Sequence, residues 1–196
     1  MISLDDRAAL FERITDLPGL GATSHHDLAQ RQEYCRRLFP NDDPKKALAS
    51  APGMSCCMLV VMAFWREAGV RHPLLDTPYF EGHIGAAPSW VEKIARDLGA
   101  YRDPLKTDYI PLCGDATVIG SGQGLHGFVV SSYTGLDGKL RSIDGGQGER
   151  NSEITWRDRR VGWDENSKKY WTYRGDTIES RDRPVTYWVD LGAMLP

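Results

Sequence analysis

Thiol acyl-transfer chemistry needs a nucleophilic sulfur, an imidazole to take its proton and an acid to orient that imidazole. This chain of 196 residues offers the three types at Cys57, His126 and Asp144, each set beside an apolar run. Cys57 heads Met58-Leu59-Val60-Val61-Met62-Ala63-Phe64-Trp65, His126 precedes Gly127-Phe128-Val129-Val130, and Asp144 follows Ser142-Ile143. In such a set the imidazole takes the thiol proton and later gives it to the leaving amine. Backbone N–H groups at a helix start can hold the oxyanion. Buried cysteines and strand histidines are also ordinary core residues, so residue type alone does not decide.

The elements that must position these residues are legible from pattern. Ten apolar residues run from Cys56 to Trp65, about half of what a bilayer span needs, which predicts a helix buried in a core. Ser55 is a suitable N-cap and Gly69 a suitable C′ residue. That frame puts Cys56 and Cys57 in the first two helical positions, where free N–H groups and the helix dipole favour a thiolate. Upstream, residues 4–15 read as an amphipathic helix. Ser24 with Asp27 opens a second that stops at Pro40, and Asp43-Pro44 opens a third. Residues 70–88 have no period and are a candidate wall of a substrate cleft. Ser89 with Glu92 reads as another capping box. Beyond residue 114 the period changes to two, with strands expected at 115–120, 125–132, 140–144, 153–156, 170–173 and 185–189. Turns are expected at Gly120–Gly122 and Gly135–Gly138. Helices followed by an antiparallel meander make an α+β fold, read as a single domain over residues 1–196.

A formal net charge of −3 gives no reason to expect nucleic acid or a membrane as partner. Residues 1–7 lack the basic-then-apolar pattern of a Sec signal peptide. Synthesis in the cytoplasm is expected, with any exit by a dedicated secretion system or lysis. The four cysteines read as reduced thiols, and Cys35, Cys57, Cys113 and His126 lack the spacing of a zinc site. No metal or organic cofactor is expected. Trp156, Trp163, Tyr170, Trp171 and Tyr173 alternate with Arg157, Arg159, Arg160, Lys168 and Lys169. This stretch reads as sheet packing with solvated edges, or as a carbohydrate or peptide platform.

The order Cys57…Ala68-Gly69-Val70, Gly114-Asp115-Ala116-Thr117-Val118-Ile119, His126-Gly127-Phe128-Val129-Val130 and Ile143-Asp144-Gly145-Gly146 resembles the NlpC/P60 superfamily. These are papain-like cysteine peptidases and amidases that include the CHAP branch. The resemblance covers residues 54–146. It implies a papain-like fold, with the cysteine helix packed on a C-terminal antiparallel sheet. It also implies Cys57 as nucleophile, His126 as base and acid, and Asp144 as orienting residue. The implied substrate is an amide bond in a peptidoglycan stem or cross-link peptide. An inhibitor or immunity protein is a conceivable partner of a wall-degrading enzyme made in the cytoplasm, though no residue of the sequence marks one. An inactive binding module and an acyl- or amidotransferase are the alternatives on the same scaffold.

The chain departs from the family at Cys56-Cys57-Met58-Leu59, where Asp-Cys-Ser-Gly is common. Counting back from Ala68-Gly69 selects Cys57, and counting from a Ser-Cys start selects Cys56. The family's oxyanion tyrosine has no clear counterpart in the sequence, and Tyr34 is no more than a guess at it. Gln147 is a turn residue, a substrate-binding amide or a substitute for Asp144. The triad also sets a condition on register. A two-residue turn at Asp137-Gly138 puts Asp144 opposite Ser131, about 17 Å along the strand from His126. A five-residue loop at Tyr133–Asp137 puts it opposite His126.

Overall fold

The computed structural model describes residues 2–133, 138–147, 152–179 and 183–196. Among them are six α-helices: α1 (Leu4–Glu12), α2 (Leu28–Leu38), α3 (Pro44–Ser50), α4 (Cys57–Ala68), α5 (Ala87–Asp97) and α6 (Leu191–Met194). Eight strands follow α5 or lie between it and α6: β1 (Tyr101–Arg102), β2 (Ala116–Ile119), β3 (His126–Tyr133), β4 (Lys139–Gln147), β5 (Glu153–Asp164), β6 (Lys169–Arg174), β7 (Thr177–Ile178) and β8 (Val185–Val189). They form one sheet in the order β1-β8-β2-β3-β4-β5-β6-β7, antiparallel at every pairing. The α+β reading therefore holds. No helix among the described residues is long and apolar enough to cross a membrane.

Helix α4 is the centre of the core. Every residue from Cys57 to Trp65 is buried, because α1, α2 and α5 surround it on the sides that β3 and β4 leave open. It ends where Gly69 takes φ of 91°, a left-handed cap that a β-carbon would disfavour. Its start differs from expectation. Cys56, not Ser55, is the N-cap residue, and it makes no side-chain capping bond. Helix α2 is capped by Asp27 in a reciprocal box with Gln30 rather than by Ser24. Helix α5 begins at Ala87, so Ser89 lies inside it and bonds the Ala86 carbonyl. The Asp43 cap ahead of Pro44 is as expected.

Successive residues of a strand face opposite sides, and the sheet divides accordingly. Val118, Val129, Ile143 and Ile154 join the helical core. Ile119, Phe128, Val130, Leu140 and Val161 form a smaller cluster on the other face. An ion pair fastens α1 to the sheet: buried Arg7 reaches Asp115 at 2.6 Å and Asp190 at 2.9 Å. Asp115, of the Gly114-Asp115 pair, also accepts the Leu112 and Leu191 amides.

The β3–β4 register matches neither loop geometry weighed above. Tyr133 pairs with Leu140, a register shift between Val130 and Ser132 follows, and Asp144 comes opposite Phe128. Residues 134–137 of the expected turn, Gly148 and the Gln147 side chain lie outside the described residues. Gln147 itself ends β4 rather than sitting in a turn, and pairs with Glu153.

Candidate active site

His126 and Phe128 share a face of β3, so an Asp144 paired with Phe128 is a diagonal neighbour of His126. Diagonal pairs are within reach of long side chains. His126 Nε2 and Asp144 Oδ2 are 2.8 Å apart. Asp144 is fully buried and also accepts the Ser142 hydroxyl at 2.6 Å and two bonds from Arg159 at 2.9 and 3.0 Å. Burial alone would raise its pKa. The Arg159 charge and the His126 hydrogen bond outweigh burial and hold the carboxyl well below the usual carboxylate range. An ionised carboxylate only accepts, so Nε2 of His126 carries the proton and Nδ1 is left for the thiol.

The sulfur arrives from the other layer. Helix α4 lies against the helical face of the sheet, and its first turn reaches across the end of β4, where the register shifts between Asp144 and Gln147. Gly145 and Gly146 make this approach possible. A Cβ on Gly145 would lie 2.6 Å from Val60 and 2.8 Å from the Cys56 carbonyl, and Gly146 adopts φ of 73° beside Cys57. Cys57 is 6% and His126 8% exposed. Burial pushes the Cys57 thiol up, but the His126 hydrogen bond and charge, the Ser55 hydroxyl and the Gly127 amide bring it down to about 7. For His126, burial acts downward, and the bonds to Asp144 and Cys57 raise it to about 9. Ser55, released from capping, points its hydroxyl at Cys57 Sγ, 3.5 Å away. The pair is poised as thiolate and imidazolium.

The neighbouring cysteine has the opposite environment. Cys56 is fully buried, accepts the Gly146 amide at 2.8 Å and donates towards the Glu153 carbonyl at 3.8 Å. Burial drives its thiol up to about 12. Of the two cysteines, Cys57 alone borders a cleft. That cleft holds about 740 Å³ and is lined by Ser55, Met58, Tyr79, Ile84 and Leu125 among others. Tyr79 and Ile84 come from the aperiodic stretch read as a cleft wall.

Compared with models of known protein families, with curated proteins and with solved structures, the chain matches none.

Cys57, His126 and Asp144 are therefore brought together by this chain's own geometry. Tyr34 is not part of the site; it is fully buried, with its hydroxyl against the Cys56 thiol. Tyr79 occupies the cleft instead, accepting the Gly85 amide at 2.8 Å and leaving its own proton to donate. Arg159 was hidden within the aromatic and basic stretch. It is buried on β5, lies 4.2 Å over the Phe128 ring and bridges Asp144 to Glu179 at 3.1 Å. No cluster among the described residues has the make-up of a metal site.

Proposed function

We propose that the protein is a cysteine-dependent amide hydrolase of papain-like, NlpC/P60-type architecture, acting on peptidoglycan stem or cross-link peptides. The observation that carries this reading is the buried His126–Asp144 hydrogen bond beside Cys57, whose sulfur opens onto a cleft. The burial of α4 beneath an antiparallel sheet supports the papain-like comparison. The lowered Cys57 thiol weighs against an inactive binding module.

Cys57 Sγ attacks the amide carbon, and the carbonyl electron pair moves to oxygen. Backbone N–H groups at the start of α4 and the Tyr79 hydroxyl stabilise that oxyanion. The intermediate collapses, the C–N bond breaks, and His126 Nδ1 passes its proton to the departing amine. Water then attacks the thioester, giving up a proton to His126, and the acid leaves with Cys57 restored. Asp144 keeps the imidazole in the required tautomer throughout.

Incubation with a panel of purified stem and cross-link peptides, read by mass spectrometry, tests this. The expected products are an acid and an amine that together exceed the substrate by one water. Cys57→Ala and His126→Ala abolish them, and Cys56→Ala retains them. Cleavage that survives Cys57→Ala overturns the mechanism. Adding a free amine acceptor separates hydrolysis from transfer, since a transferase would couple it to the acyl group.

A further inference from the structure

His126 separates two concavities. One is the Cys57 cleft; the other holds about 580 Å³ and is lined by His126, Gly146, Arg157, Arg174, Glu179 and Arg183 among others. Gly146 joins them, since a Cβ placed on it would lie 3.5 Å from the Cys57 Cβ. The second concavity is strongly cationic. Among the described residues, Arg157, Arg159, Arg174 and Arg183 stand with two carboxylates, Asp144 and Glu179. Glu179 is shared among Arg157 at 3.2 Å, Arg159 at 3.1 Å and Arg174 at 3.8 Å. Arg183 has no ion-pair partner among the described residues, and the Arg174 side chain is 67% exposed. Arg159 is accounted for by Asp144. A scaffold that served only to hold Asp144 would have no use for the guanidinium groups of Arg174 and Arg183 at the pocket mouth. Guanidinium forks are the side chains best matched to planar anions, above all carboxylates.

The side of the reaction that this pocket serves follows from proton transfer. His126 protonates the departing nitrogen, so the leaving half lies on the imidazole's side. His126 lines the cationic pocket and Cys57 lines the other. We infer that the arginine-lined pocket, through Arg174 and Arg183, receives a carboxylate carried by the amine half of the substrate. The bond broken then joins an acyl group to the nitrogen of an anionic amino acid. This rests on the cysteine-hydrolase reading above. When the C–N bond breaks, its electron pair goes to nitrogen and His126 supplies the proton. The released amino acid keeps its carboxylate on the arginines until it diffuses away.

The test compares bromoacetyl-glycine with neutral bromoacetyl-glycinamide as alkylating reagents of the whole protein at neutral pH, with Cys57 labelling followed by mass. The two present the same reactive carbon and differ only in the charge one residue away. The expected result is saturable labelling by the carboxylate reagent, about tenfold faster than by the amide, with the advantage shrinking as salt is added. In Arg174→Gln/Arg183→Gln the rate ratio falls towards one. Brisk labelling by the amide reagent with no preference for the carboxylate overturns the subsite and leaves the nucleophile standing. Slow labelling by both overturns the nucleophile and the subsite with it. Protection by inorganic phosphate but not by N-acetylglycine overturns the carboxylate in favour of a phosphate ligand.

Discussion

Replacing Arg159 by methionine removes one half of a fully enclosed charge pair without shortening the side chain much. The guanidinium reaches both Asp144 oxygens, at 3.0 and 2.9 Å, and the two side chains are 2% and 0% exposed. In Arg159→Met the carboxylate keeps His126 and Ser142 but loses two charge-assisted donors. Breaking a buried pair from one side costs about 3–5 kcal/mol. In a chain of this length each kcal/mol moves the melting temperature by about 2–4 °C, so the midpoint falls by about 6–20 °C. Arg159→Met/Asp144→Asn removes both charges, and its loss is smaller than the sum of the single losses by about 1 kcal/mol or more. The pH dependence has a definite sign. A carboxyl whose native pKa is depressed contributes its stability fully above its unfolded value, about 3.9, and loses it as pH falls. Asp144 is depressed, with Arg159 the larger of the two charges that outweigh its burial. The gap between wild type and Arg159→Met is therefore complete at neutral pH and narrows below about pH 4. Calorimetry at both pH values reads it. A variant melting within about 2 °C of wild type at neutral pH, or a gap indifferent to acid, refutes the role given to Arg159.

The pH profile of amide cleavage is bell-shaped, because the thiolate forms above about 7 and the imidazolium is lost above about 9. Initial rates across that range check it, the limbs belonging to the coupled pair rather than to single residues. At pH 7, iodoacetamide labels Cys57 in preference to Cys113, whose thiol burial raises to about 11. Ionisation favours Cys57 several-thousand-fold, lower intrinsic nucleophilicity returns part of that, and peptide mapping finds a net preference of about 50–100-fold. Tyr79→Phe lowers kcat about 100-fold with little change in KM, as loss of one oxyanion donor does. Gly145→Ala drives a methyl into the Cys56 carbonyl and Val60; it costs about 1–3 kcal/mol in thermal melts and slows Cys57 alkylation, since the helix start must move.

Much of this arrangement was legible because it depends on period and punctuation. The apolar run with Gly69 behind it bounded α4 at its C-terminal end, and the alternation beyond residue 114 placed six of the eight strands. The helix starts were harder. Ser24 and Asp27, or Ser55 and Cys56, are both competent next to a first turn, and side-chain partners chose between them: Gln30 completed the Asp27 box, and the Cys57 sulfur drew the Ser55 hydroxyl away. The β3–β4 register depends on the shift between Val130 and Ser132 in a strand whose first five residues are all buried. Alternation carries no information where both faces are covered. Arg159 was illegible for a related reason. One arginine in a stretch of alternating charge and ring reads as solvated, and only the pairing of β5 between β4 and β6 encloses it.

Strand β8 lies between β1 and β2, which sets an order on biogenesis. On a ribosome, β2 emerges long before its second partner and waits with one edge open. Its far neighbour is His126, paired with Ile119, which itself pairs with Val185. Asp190 and Leu191 then close onto Arg7 and Asp115. Contacts so distant along the chain form late. A nascent chain that has not released residues 185–191 pairs its histidine strand with β2 and β4, but leaves the outer edge of β2 uncovered. The last contacts to form are thus the ones that cover β2 and clamp Arg7 and Asp115, so the edge beside the histidine strand is the part of the sheet exposed longest during synthesis.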